Sequence, residues 1–94
     1  MKKIYTWFER YQIALKENLS VKEIMILRNV GQPTALQLRR EAINYCLKND
    51  IEIISNKPPT EVIMRLTGKA LEFYYEKMVL ELEAIELHNR ILNK

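Results

Sequence analysis

The sequence has very few of the residues that build most catalytic and metal sites. Cys46 and His88 are the only cysteine and the only histidine among its 94 residues. A single cysteine cannot form an intrachain disulfide, and a single histidine has no second histidine or cysteine with which to share a metal. No paired acids or phosphate loop can be recognised, and only two glycines are available to shape a site. We therefore predict a protein without enzymatic activity, cofactor or metal, in which Cys46 is a small core residue and His88 lies on the surface.

The sequence also lacks a long uncharged apolar run, which argues against a membrane span. Its basic start is followed by Glu9 and Arg10 before any apolar stretch develops, which argues against a signal peptide. A hydrophobic content of 48% argues against disorder. The length suits one domain, residues 1–94, with a modest core. We predict a soluble cytoplasmic protein with a compact all-α fold of four to five helices and at most one short strand.

The first helical segment carries an aromatic stripe. Ile4, Trp7, Phe8, Tyr11 and Leu15 follow one another at helical spacing, and this pattern places them on one face of a helix. Large rings at this spacing are more often core than ligand site, because they bury much apolar area in a small domain. We predict that this stripe packs against the rest of the protein.

A second, short helix is bounded by recognisable signals. Ser20 can cap its start, and Glu23, three residues later, can reach back to the amide of the cap. The helix is predicted to end at Asn29, which tolerates the left-handed conformation, with Gly31 two positions later. Pro33 is acceptable in the first turn of the next helix. The inward residues of the short helix are Ile24, Met25 and Leu27.

A third helix is predicted over residues 33–47, and its two faces differ sharply. Small and medium side chains form a narrow inner stripe on one face: Ala35, Leu38, Ala42 and Cys46. The opposite face, called here the outer strip, is polar and cationic: Pro33, Gln37, Arg40, Asn44 and Lys48. Only Glu41 borders this strip with a negative charge, whereas a merely solvated face more usually mixes both signs.

The positive charge of the sequence is concentrated in the half that contains this helix. Residues 1–48 carry nine Lys or Arg and four Glu, a net charge of +5, whereas residues 49–94 carry six and eight, a net charge of −2. A basic half next to an acidic one is the electrostatic pattern expected if the first half approaches a phosphate backbone.

The stretch 22–40 resembles the helix-turn-helix DNA-binding superfamily in its layout. Five positions carry the resemblance: Met25 facing the next helix, Asn29 in the turn, Val30 as the apolar residue after the turn, and Ala35 and Leu38 as the inward pair. An α-helix fits the major groove, where Gln can bond an adenine edge and Arg can bond guanine or a phosphate.

The resemblance implies positions that face DNA. Gln32, Pro33, Leu36, Gln37 and Arg40 would face the groove, and Thr34 would bond a phosphate. Together with the outer strip, this defines the candidate DNA-binding residues: Gln32, Thr34, Gln37, Arg39, Arg40, Asn44 and Lys48. The expected partner is double-stranded DNA, with a second protein on the same DNA as a further option.

Size, charge and the single motif resemble the small regulators and accessory proteins of phages, plasmids and integrative elements, including excisionase-like proteins. The expected role is repression, activation, or an accessory function in recombination, transfer or replication. The alternative is a helical adaptor that binds a protein partner and no DNA. An enzyme is the third and weakest alternative.

Residues 51–55 are the only stretch with strand character. A two-stranded wing is not predicted, because Pro58 and Pro59 follow and no second β-rich run comes after them. The stretch is either an extended link that packs its isoleucines on the core or an edge that pairs with another molecule. Thr60 is predicted to cap a fourth helix, which Gly68 closes.

The last helix, about residues 69–92, shows a coiled-coil register. Its seam is Leu71, Tyr75, Met78, Leu82, Ile85, Asn89 and Leu92. This register predicts a homodimer through Met78, Leu82, Ile85, Asn89 and Leu92. In a parallel pair, however, Glu81 and Glu86 would face like charges, and the other possibility is that the helix folds back on the first helix. Both hold if the early part packs within the monomer and the late part joins two copies.

Overall fold

The protein is all-α, as the sequence predicts. The computed structural model describes residues 4–93 and contains five helices and no sheet in that range. The helices are α1 (Trp7–Ala14), α2 (Val21–Arg28), α3 (Gln32–Lys48), α4 (Thr60–Thr67) and α5 (Leu71–Leu92). No helix among these residues is long and apolar enough to cross a membrane.

Capping boxes start the first two helices. The Ser20 hydroxyl accepts from the amide of Glu23, and the Glu23 carboxylate accepts from the amide of Ser20, as the sequence predicts. Thr6 and Glu9 make the same reciprocal pair at α1. Each box satisfies two backbone donors that a helix start leaves without partners, so both boundaries are determined locally.

Helix α1 packs against the first half of α5. The rings of Trp7 and Phe73 meet edge to face with centroids 5.7 Å apart, and those of Tyr11 and Tyr75 meet at 5.7 Å. The start of α1 reaches Glu81, whose carboxylate accepts hydrogen bonds from the backbone amides at that end. Helix α1 therefore covers α5 only as far as Glu81.

The predicted buried face of α1 is partly wrong. Trp7 and Tyr11 pack on the core, but Ile4, Phe8 and Leu15 are 82%, 47% and 52% exposed. The buried residues of α1 are Arg10 and Ala14. The inward face of α1 is therefore rotated about the helix axis by somewhat less than the roughly 100° between successive residues. The prediction missed this because a hydropathy pattern treats an arginine such as Arg10 as a surface residue.

Arg10 can be buried because its donor has a backbone partner. Its Nε donates to the carbonyl oxygen of Leu27, 2.9 Å away at the end of α2, and its guanidinium carbon lies 3.9 Å from the centre of the Trp7 ring. A cation at a helix C-terminus also complements the helix dipole. Burial lowers the pKa of the Arg10 guanidinium from its usual value.

A second arginine joins α2 to α5. Arg28 donates to the hydroxyl of Tyr74 at 2.9 Å, and the Tyr74 side chain is completely buried. The core around it contains Leu19, Ile24 and Leu27 from the first half of the chain and Val62 and Ile63 from α4. Inward packing of α2 is thus confirmed, with Met25 partly buried at the edge of the core.

The link between α3 and α4 is extended and forms no strand of a sheet. Its only pairings in the described chain are two isolated bridges, Asn18 with Pro59 and Ile54 with Lys57. Ile51 and Ile53 are partly buried against the core. Of the two possibilities left open by the sequence, the structure matches the packed link for Ile51 and Ile53, whereas Ile54 is 51% exposed.

Thr60 does not cap α4. Pro59 is the N-cap, and Thr60 is the first helical residue, with its hydroxyl donating to the carbonyl oxygen of Lys16. That long-range acceptor replaces the local bond expected of a cap. Gly68 ends α4 in the left-handed conformation with φ of 69°, as predicted.

Helix α5 begins at Leu71, two residues later than predicted, and extends beyond the rest of the molecule. All described residues after Glu81, 82–93, are exposed; they are called here the projecting segment. The radius of gyration is 15.6 Å, whereas a globule of this length has about 12 Å. Of the predicted seam, Met78 lies in the monomer's own core, whereas the other six residues are exposed.

Candidate nucleic-acid interface

The connection between α2 and α3 is a turn of three residues. Asn29 adopts the left-handed conformation with φ of 52°, which confirms its predicted role. The amide of Val30 donates to the Met25 carbonyl at 3.1 Å, which closes the end of α2. Gly31 is the N-cap of α3 with φ of −75°, a value open to any residue. The interruption of the helix therefore depends on Asn29 and not on Gly31.

The inner stripe of α3 packs as predicted. Ala35, Ala42 and Cys46 are completely buried, and Leu38 is partly buried against the same core. Val30, the residue after the turn, also packs there. Because three of these side chains are small, α2 and α4 can approach α3 closely, and the stripe determines which face of α3 points outward.

The outer strip is exposed along its whole length. The exposed polar residues of α3 among the candidates are Gln32, Thr34, Gln37, Arg40, Asn44 and Lys48. From Pro33 to Lys48 the strip is about 22 Å long at the rise of an α-helix. Leu36 beside it is 41% exposed, so it is not covered by another element. The strip thus presents amide and cationic groups on a convex, rigid surface.

Two of the candidate residues have partners within the protein. Gln37 donates to the carboxylate of Glu41 at 3.3 Å, one turn later on the same helix. Arg39 donates to the backbone carbonyl of Asn56 at 2.9 Å and is half-buried. Arg40 makes no hydrogen bond or ion pair with the described residues. Arg40 therefore keeps its full set of donors facing solvent, whereas Arg39 positions the link beside α3.

The acceptor of Arg39 belongs to a tight turn that the sequence analysis did not identify. Ser55 and Asn56 both have positive φ, 53° and 60°, and the Lys57 amide donates to the Ile54 carbonyl at 2.9 Å. Two left-handed central residues are typical of a two-residue hairpin turn. Asn56 could have signalled this turn, because asparagine tolerates the left-handed conformation. The turn places exposed Lys57 on the flank of α3.

The positive charge of the first half is only partly available to a ligand. Arg10 and Arg28 are used inside the fold, and Lys16 forms an ion pair with Glu23. Burial acts to raise the pKa of Glu23, but hydrogen bonds from Lys16 and Ser20 outweigh it and hold that pKa below its usual value. The net charge of residues 1–48 therefore overstates the outward charge. Of the other described cations in this half, Arg39, Arg40 and Lys48 lie on α3, and Lys22 lies on α2.

Other chemistry has little support in the described residues. Cys46 is buried, and burial raises the pKa of its thiol, which disfavours the reactive thiolate. Residues 4–93 contain no group of three or more histidine, cysteine or acidic side chains that could hold a metal. His88 is exposed, as predicted.

Helix α3 thus has an inner face fixed by small buried residues and an outer face that offers hydrogen-bond donors and positive charge. Those groups are suited to phosphates and to base edges. No protein-family model, curated protein or solved structure matches this chain.

Proposed function

We propose that the protein is a non-catalytic DNA-binding protein of the helix-turn-helix type that reads the major groove with α3. The observation that supports this most is the exposed outer strip, held outward by the completely buried Ala35, Ala42 and Cys46. Gln32 and Thr34 would contact DNA from the first turn of α3, and Arg40 and Lys48 from later turns. As a cytoplasmic regulator or accessory factor of a mobile element, it would act on double-stranded DNA.

The test is retention of mixed genomic DNA fragments by the full chain at two salt concentrations. Affinity should fall steeply with salt, because neutralised phosphates release counterions. Arg40→Ala should reduce the slope of log affinity against log salt by about one. Arg65→Ala is the matched control, an exposed arginine on α4 rather than α3. Absence of retention at low salt would contradict the proposal.

Sequence selection is tested separately from overall affinity. Gln37→Ala should change which fragments are enriched more than it changes total retention, because an amide reads base edges rather than phosphates. If total retention falls while the enriched set stays the same, α3 is not the reading helix.

The second candidate is a helical adaptor that binds a protein partner and no DNA. The exposed leucines and isoleucines of the projecting segment favour it, since large exposed apolar surfaces mark interaction sites. The fragment experiment separates the two functions, because an adaptor without DNA binding gives no salt-dependent retention.

We also propose that the protein acts as a homodimer. One recognition helix reads few base pairs, and two of them raise both affinity and the length of the site. The contacts are assigned to Leu82, Ile85, Asn89 and Leu92, which are exposed in the monomer.

A further inference from the structure

The turn between α3 and α4 carries a lysine whose charge the fold does not use. Lys57 is exposed, and its ammonium group makes no hydrogen bond or ion pair with residues 4–93. Its backbone carbonyl, in contrast, accepts a hydrogen bond from the side-chain amide of Asn18 at 2.9 Å. The next residue, Pro58, is completely buried. The backbone of Lys57 is therefore fixed, while its side chain remains available to an external anion.

Helix α3 fixes the same turn from a second side. Arg39 donates to the carbonyl of Asn56 at 2.9 Å, and the left-handed Ser55 and Asn56 make the turn tight. That carbonyl belongs to the peptide unit directly before Lys57, so the bond from Arg39 determines where Lys57 leaves the turn. Lys57 is thus held beside the middle of α3 before any ligand binds, and preorganisation of this kind lowers the cost of binding.

The turn lies on the cationic flank of the outer strip. Arg40 lies about 100° from Arg39 around the helix axis, and Leu36 lies between them. Glu41, the acid that borders the strip, lies about 160° from Arg39, nearly on the opposite side of α3. Lys57 therefore adds positive charge to the flank that already carries Arg40, away from the acid.

We infer that Lys57 binds a phosphate of the DNA strand that borders the groove occupied by α3, and that Arg39 positions Lys57 instead of contacting DNA. The inference rests on the proposed function and adds a contact outside α3. A major groove about 12 Å wide admits one helix, so groups beside that helix face the sugar–phosphate backbone. Contacts to phosphates fix the register of a protein on the duplex without reading its sequence. Lys57 thus contributes orientation, whereas the outer strip contributes sequence selection.

The salt dependence of DNA binding tests the contact of Lys57. The full chain is bound to mixed genomic double-stranded DNA fragments over a range of salt concentrations. Lys57→Ala should reduce the slope of log affinity against log salt by about one and leave the enriched fragments unchanged. Lys57→Arg keeps the charge and should keep the slope. Lys77→Ala is the matched control on α5, near the rings of Trp7 and Phe73, and should bind as the wild type does.

The outcomes separate this inference from the proposed function. If the slope depends on Arg40 but not on Lys57, the inference is overturned and the α3 proposal stands. A changed set of enriched fragments in Lys57→Ala would mean that Lys57 reads bases, which also overturns the inference. Absence of retention by the wild type contradicts the proposed function itself and the inference with it.

A double-mutant cycle tests the positioning role of Arg39. Arg39→Ala should weaken binding about twofold or more in the wild-type chain and should have little effect in a chain that already carries Lys57→Ala. Equal losses in both backgrounds would mean that Arg39 binds a phosphate itself, which overturns its positioning role. Lys57→Ala changes only an exposed side chain, so the salt measurement decides the phosphate contact even if Arg39→Ala disturbs the fold.

Discussion

Glu81 of α5 holds the first turn of α1 from 74 residues away. Its carboxylate oxygens accept hydrogen bonds from the backbone amides of Trp7 and Phe8 at 2.9 and 3.1 Å. These amides have no partner within α1, because the first donors of a helix lack preceding carbonyls. The negative charge also complements the positive end of the helix dipole. The start of α1 is therefore satisfied by tertiary structure as well as by its own capping box.

Replacing Glu81 should destabilise the protein. Glu81→Ala removes both acceptors, and we expect the free energy of unfolding to fall by about 2 kcal/mol. Glu81→Gln keeps one acceptor without charge and should lose about half as much. The measurement is urea denaturation, with Glu83→Ala as the control on the exposed side of α5. Equal stability of the Glu81→Ala and Glu83→Ala variants would contradict this role.

Arg10 should matter for stability although it faces no carboxylate among the described residues. Arg10→Met keeps much of the apolar contact with Trp7 but leaves the carbonyl of Leu27 without its buried donor. We expect a loss of about 1–3 kcal/mol in the free energy of unfolding. Arg65→Met, at an exposed position on α4, should change it by less than about 0.5 kcal/mol. Thermal denaturation followed by circular dichroism compares the two.

The capping box of α2 predicts a dependence of stability on pH. The folded pKa of Glu23 is lowered, so its contribution is complete above the unfolded value of about 4.3 and is lost as the pH falls through the folded value. Glu23→Gln should therefore be less stable than wild type by about 1 kcal/mol at pH 7 and about equal to it in strong acid. Denaturation at both pH values measures this, and a constant difference would refute it. Glu61→Gln, exposed on α4, is the control.

The turn between α2 and α3 should tolerate changes at Gly31 better than at Asn29. Asn29→Val places a β-branched residue at φ of 52° and should cost about 1–2 kcal/mol, whereas Asn29→Gly should be close to neutral. Gly31→Ala should also be close to neutral, because an added Cβ would lie 3.7 Å from the Cδ of Pro33, an ordinary contact. A larger loss at Gly31 than in Asn29→Val would show that the glycine has another role.

Local signals explain what could be predicted from the sequence. The capping residues Ser20 and Glu23, the left-handed Asn29 and the inner stripe of α3 all depend on neighbours within a few positions. Such interactions are specified by spacing alone, so the helices and the inward face of α3 follow from the sequence.

The features that the sequence analysis missed depend on distant partners. Arg10 is buried because the Leu27 carbonyl of α2 accepts a hydrogen bond from its guanidinium. Thr60 does not cap α4 because its hydroxyl donates to the carbonyl of Lys16 instead. Arg39 likewise donates to the backbone carbonyl of Asn56. In each case a polar side chain donates to a backbone carbonyl of another segment. The spacing of residues within one helix cannot predict such a distant partner.

The length of helix α5 fixes the distance between its tip and the rest of the protein. It passes from its contact with α1 into the projecting segment without a break, so residue count alone sets how far and in which direction its tip points. One residue inserted after Glu81 would advance the tip by about 1.5 Å and rotate it by about 100°, turning Ile85 away from its present side. Seven inserted residues would restore the direction to within about 20° and lengthen the rod by about 10 Å. In the proposed homodimer, the spacing between the two α3 helices would then increase, while the residues on the surface of α3 would stay the same.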